Sequence, residues 1–173
     1  MAETRRVTEF QRLFLVQARS DFAVFEVLQK LQRKGDLPAC HALHYLQMAA
    51  ELLGKAYGWR HGPQAMSHRA FVPFLLGLST NHDAQKRLGF QGHNANWGQL
   101  IRKSSALAEQ VQNLAPTLAQ NGPNPEYPWP PAAPAHVPAE HRFELWDDLE
   151  TTAAGRQFLN LITRLFANAE AFL

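Results

Sequence analysis

From Thr8 to Lys34 apolar side chains return at steps of three and four without interruption, the spacing that an α-helix gathers onto one side. One row runs Phe10, Phe14, Ala18, Phe22, Phe25 and Leu28. A second, Leu13, Val16, Val24, Val27 and Leu31, widens the stripe, and Arg12, Arg19, Asp21, Glu26 and Lys30 fall mostly between the rows. Thr8 and Gln11 have the spacing of a capping box, in which each side chain satisfies an orphaned backbone donor. Gly35, directly after the basic Arg33 and Lys34, supplies the stop. The pattern predicts a helix over residues 8–34 with both rows in a core. Such an apolar stripe is buried against neighbouring helices, its partners in the bundle.

Those partners are legible in the same way. Asp36-Leu37-Pro38 reads as a restart, since proline is accepted in a first turn where its missing N–H costs nothing. The face that follows carries Leu43, Leu46, Ala50, Leu53 and Tyr57 and ends at Gly58. So short a connection makes the two helices antiparallel neighbours. Residues 59–64, with Gly62 and Pro63, read as a loop. Phe71 to Leu78 is apolar, and Pro73 within it demands a kink or a helix start. Thr80-Asn81-His82-Asp83 suits the cap of a short helix through Leu88, closed by Gly89. Trp97, Leu100, Ile101, Ser104, Leu107, Ala108, Val111 and Leu114 give a further helical face, broken at Pro116. Near the C-terminus Phe143, Leu145, Trp146 and Leu149 cluster beside acidic residues. Thr151 or Thr152 then caps a last helix lined by Phe158, Leu161, Ile162, Leu165, Phe166 and Ala169. No segment alternates as a half-buried strand does.

Residues 116–138 hold eight of the eleven prolines, a composition that excludes regular helix and favours extended, stiff backbone. Tyr127 and Trp129 within it gain nothing in free solution, so the segment is expected to pack down as an ordered strap. The expectation is a single all-α domain over residues 1–173. Its architecture is an up-down bundle of four to five helices, with the strap preceding a C-terminal helix over 151–172. With 46% apolar and 18% charged residues, the 173-residue chain can bury a core. A net charge of +2 removes a polybasic tail from consideration. The lone Cys40 precludes an internal disulfide framework. With no membrane-length apolar run and no secretory leader at the start, the expected location is cytoplasmic, away from membranes.

Few residues point to chemistry. His41 and His44, at i and i+3 beside Cys40, share a helix face and are weak candidates for metal ligands in a helical bundle. No Glu-x-x-His pair completes such a set, so the expectation is that no metal or cofactor is bound. Cys40 stands among Leu37, Ala39 and Leu43, a setting for an inert packing thiol. No nucleophile elbow, phosphate loop or dinucleotide fingerprint occurs.

One set of segments resembles a known family. Ala18-Arg19-Ser20-Asp21-Phe22 on the first helix is followed on the second by residues 40–56, which include Gln47-Met48-Ala49-Ala50-Glu51-Leu52-Leu53-Gly54-Lys55-Ala56. His68-Arg69-Ala70-Phe71 and Phe74-Leu75-Leu76-Gly77-Leu78 come next. Together they resemble the HEPN superfamily (higher eukaryotes and prokaryotes nucleotide-binding) over roughly residues 8–80. The resemblance implies a helical bundle that dimerises or docks to a partner, in a bacterial defence or toxin–antitoxin setting. Catalytic members of that family are metal-independent ribonucleases with an arginine and a histidine separated by four to six residues. Arginine would hold phosphate while histidine handles the 2′-hydroxyl proton. The pair with that spacing here is Arg87 and His93. It departs from the family pattern at Leu88, where a polar residue is usual, and through Gly89 and Gly92, which interrupt one helical face.

The expectation is therefore a non-catalytic, HEPN-like subunit acting as a homo-oligomer or in a hetero-complex with another bacterial protein. The first alternative is a ribonuclease using Arg87 and His93, with RNA as ligand. The second is a metal-binding bundle.

Overall fold

In the computed structural model, which describes residues 8–59, 67–90, 94–130 and 136–172, the chain is an all-α bundle. Its helices are α1 (Glu9–Arg33), α2 (Ala39–Gly58), α3 (Phe71–Gly77), α4 (His82–Arg87), α5 (Asn94–Gln112), α6 (Pro116–Ala119), α7 (Glu144–Thr151) and α8 (Ala153–Ala167). Short 3-10 turns occupy Pro138–Glu140 and Ala169–Phe172. The four longest, α1, α2, α5 and α8, are the long helices expected from the sequence. The capping box at Thr8 and Gln11 is complete in both directions. Asn81 caps α4, and Gly89 closes it at a φ of +76°, a conformation that favours glycine.

α1 and α2 run antiparallel, as Gln11 near the start of α1 shows by donating to the Ala56 carbonyl near the end of α2 at 3.2 Å. α2 is the centre of the bundle: it also packs on α3, α5 and the 138–140 turn. Leu43, Leu46, Leu53 and Ala56 on α2 are buried with Leu15, Ala18, Phe22 and Phe25 of α1 in one continuous core. From α8, Phe166 stacks on Phe22 at 4.2 Å between ring centres. Polar clasps reinforce this side. Arg19 pairs with Glu170 at 2.7 Å, and Glu150 of α7 accepts from Gln29 at 2.6 Å and from Arg33 at 2.5 Å.

Four sequence expectations need correction. First, the proline-rich segment is not wholly non-helical. Pro116 starts the four-residue α6 from its first position, where the missing N–H is harmless, and Pro138 opens a 3-10 turn in the same way. Second, the strap is pinned by Trp129 alone of its two aromatics. Trp129 is buried, exchanges backbone hydrogen bonds with His136 at 3.0 and 3.2 Å, and lies against the rings of His136 and His141, whereas Tyr127 is exposed. Third, Asp21 does not lie between the apolar rows on the surface. It is buried and accepts from Gln17 at 2.8 Å. Fourth, the second apolar row of α1 is not core: Leu13, Val16 and Val27 are 56%, 65% and 56% exposed. The reason is geometric. α1 sits at the edge of the bundle, and α2 and α8 cover only its inner side.

Two close approaches fix how the helices turn. A Cβ on Gly54 would stand 2.5 Å from the Ala70 carbonyl carbon, so α2 meets the start of α3 backbone to side-chain-free backbone. At the corner between α7 and α8, Thr152 is extended and caps α8 by accepting from Gly155 N–H at 2.9 Å. A Cβ on Gly155 would lie 2.5 Å from the Leu149 Cα and overlap the Asp148 carbonyl. Gly155→Ala is therefore expected to open this corner and cost about 1–3 kcal/mol or more, as overpacking of rigid neighbours does. Chemical denaturation of the variant checks it, and an unchanged midpoint would show a looser corner.

Candidate functional site

The outer side of α1 is the largest chemical anomaly on the surface. Its inner side is set by Leu15, Ala18, Phe22 and Phe25. At about 100° per residue, Leu13, Val16, Val27 and the half-buried Val24 and Leu31 point the opposite way, around exposed Ser20 and Ala23. Phe10, 55% exposed, stacks on Trp59 at 4.8 Å at one end. A single exposed valine needs no explanation, but a row of large apolar residues along one helix marks a contact surface.

A second constellation lies inside the bundle. Gln47, Glu51 and Lys55 stand at successive i,i+4 steps on α2, and Glu51 is buried. Its carboxylate accepts from Gln47 at 2.7 Å, pairs with Lys55, and meets His68 Nδ1 at 2.9 Å. Burial opposes ionisation of Glu51. The hydrogen bonds and charges of Lys55 and His68 outweigh it and hold the carboxyl below the ordinary glutamate range. The cluster ties the segment entering α3 to α2, beside the Gly54 contact. The i,i+4 spacing was visible in the sequence; the partnership with His68 was not, because seventeen residues separate them.

Of the residues singled out for chemistry, three of the four can be placed. Arg87 is exposed at the last position of α4, and His93 lies outside the described residues. His41 is exposed on α2, while His44 faces the strap with Nδ1 4.0 Å from Glu126, too long for a hydrogen bond. Among the described residues no three His, Cys, Asp or Glu side chains gather as metal ligands. Cys40 is buried, and burial pushes its thiol above the usual range against the backbone hydrogen bonds that favour the thiolate. That is the reverse of a reactive cysteine.

A cleft of about 700 Å³ opens between α5 and α8, lined in part by Phe90, Asn96, Lys103, Arg156, Gln157 and Asn160. Among the described residues lining it there are two cations and no carboxylate. Behind the lining residue Phe90, Arg164 donates to the Leu88 carbonyl at 2.7 Å and lies 5.0 Å over the Phe90 ring. Trp97 is fixed beneath by donating to the Leu78 carbonyl at 2.8 Å.

No protein-family model, curated protein or solved structure matches this chain.

The Glu51 cluster has a defined acid signature. A carboxyl lowered on folding contributes stability in full above its unfolded value, near 4.3, and loses it as pH falls through the lower folded value. Glu51→Gln removes this contribution and leaves Lys55 without its charge partner, at a cost of about 1–3 kcal/mol at pH 7. Thermal melts from pH 7 to pH 3 are expected to show the wild type and Glu51→Gln converging in acid. A constant gap at every pH would assign the cost to shape instead.

Proposed function

We propose that this protein is a non-catalytic helical subunit that works by docking the outer face of α1 onto a helix of a protein partner. The observation that carries the reading is the row Leu13, Val16 and Val27, more than half exposed and directly opposite the core side of the same helix. A contiguous apolar row on the solvent side of a helix is the kind of surface that a protein partner covers. The resemblance of residues 8–80 to HEPN domains is the ground for placing such a subunit in a bacterial defence or toxin–antitoxin complex.

The test is solution mass, measured on the chain alone and mixed with the products of neighbouring genes. A species heavier than the 19.5 kDa monomer is expected in at least one of these. Leu13→Asp/Val27→Asp is expected to abolish it while leaving helix content and melting temperature unchanged or raised, since neither residue is in the core. A wild-type chain at monomer mass under every condition would overturn the reading.

One observation favours a second reading, a metal-independent ribonuclease using Arg87 and His93. The cation-lined cleft borders Phe90, which stands between those two positions in the chain. Cleavage of a generic RNA, lost in both Arg87→Ala and His93→Ala, is the result that reading requires. Absence of cleavage, or cleavage that survives either substitution, would remove it.

A further inference from the structure

We propose that the cleft between α5 and α8 is a binding site for a small phosphate monoester, a doubly charged anion carried on a compact apolar body. The inference goes beyond docking by α1 and does not rest on it: no residue of α1 is among those lining the cleft. The volume of about 700 Å³ falls within the range of small-molecule sites, about 300–1,000 Å³. Two helices supply the walls. Gln99 and Lys103 stand at i and i+4 on α5, and Arg156 and Asn160 at i and i+4 on α8 with Gln157 beside them, so each helix turns one polar side to the cleft. The half-buried Phe90 and Leu100 and the buried Trp97 add its apolar surface.

The polar groups that the fold orients here are donors. Arg156 donates from Nη1 to the Thr151 carbonyl at 2.8 Å, which fixes the guanidinium near the start of α8. Its Nε and Nη2 keep no partner among the described residues, and Lys103 has no ion pair among them. Asn160 is oriented by Arg164, whose Nε donates to Asn160 Oδ1 at 2.8 Å. A guanidinium has only donors, so the amide oxygen faces it and the Asn160 NH₂ is the end left for a ligand. Arg164 is itself held by the Leu88 carbonyl and the Phe90 ring, so this orientation is built in. Among the described lining residues no Asp or Glu competes for these donors. Two full positive charges and a fixed amide donor match a group with about two negative charges and several acceptor oxygens. A phosphate monoester at neutral pH is such a group, whereas a carboxylate brings one charge and two oxygens. Leu100 and Phe90 receive the apolar body beside it. Neither Arg87 nor His93 is needed for this recognition.

The experiment is calorimetric titration of the full chain with phenyl phosphate, with benzoate and inorganic phosphate as comparisons. Saturable one-to-one binding of phenyl phosphate is expected. Benzoate lacks the second charge and inorganic phosphate the apolar body, so each is expected to bind about tenfold more weakly. Lys103→Gln and Arg156→Gln, both at exposed positions, are each expected to raise the dissociation constant for phenyl phosphate about tenfold. Arg69→Gln, which removes the same charge from an exposed position outside the cleft lining, is expected to leave it unchanged. Thermal melts supply a second readout: phenyl phosphate raises the wild-type midpoint and leaves that of Lys103→Gln/Arg156→Gln where it was, while both chains melt alike without ligand. No saturable binding would overturn the proposal. So would binding that survives Lys103→Gln/Arg156→Gln, or an equal affinity for benzoate or inorganic phosphate. An equal loss in Arg69→Gln would overturn it too, since net charge alone would then explain the binding. Docking by α1 is read separately from solution mass, so the failure of one leaves the other standing.

Discussion

Burial of the inner side of α1 against α2 is the contact on which the rest of the molecule is assembled. α2 is surrounded by α1, α3, α5 and the end of the strap, so nearly every element touches it or touches something that does. α1, by contrast, is covered on one side alone. Its inner side brings Leu15, Ala18, Phe22 and Phe25 to the core, and Phe22 extends that core to Phe166 of α8. The outer side has no such neighbour among the described residues. The asymmetry between a central α2 and a peripheral, doubly apolar α1 defines both the architecture and the surface left to act.

Polar groups inside the bundle serve position more than chemistry. Glu51 gathers Gln47, Lys55 and His68 at the point where Gly54 admits the backbone entering α3, so a charge cluster and a close approach fix one junction together. Arg164 does similar work at the left-handed Gly89, filling the space a side chain there would occupy and donating to the Leu88 carbonyl. Trp129 closes the strap against His136 and His141, and Pro138 is buried where the strap reaches α2.

Much of this was legible in the sequence because it depends on local periodicity. The long helices, the Thr8 cap, the Asn81 cap and the stop at Gly89 follow from residues a few positions apart. Pro116 misled because a proline that forbids helix interior is welcome at a first turn. The fate of Leu13, Val16 and Val27 was not legible, since periodicity reports that a face is apolar and not which element covers it. The burial of Asp21 and the Glu51–His68 contact were hidden for the same reason: both depend on which helices become neighbours. The width of the α1 stripe was nonetheless a signal, because a helix at the edge of a bundle buries one side.

The central claim is that the outer row of α1 is covered by protein in the working state of the molecule. Hydroxyl-radical footprinting of the wild-type chain, alone across a dilution series and mixed with the products of neighbouring genes, measures this directly. The account predicts that Leu13, Val16 and Val27 are protected in at least one of these conditions, while Phe22 and Phe25 stay protected throughout. Reactivity of Leu13, Val16 and Val27 that is high in every one of them would contradict it.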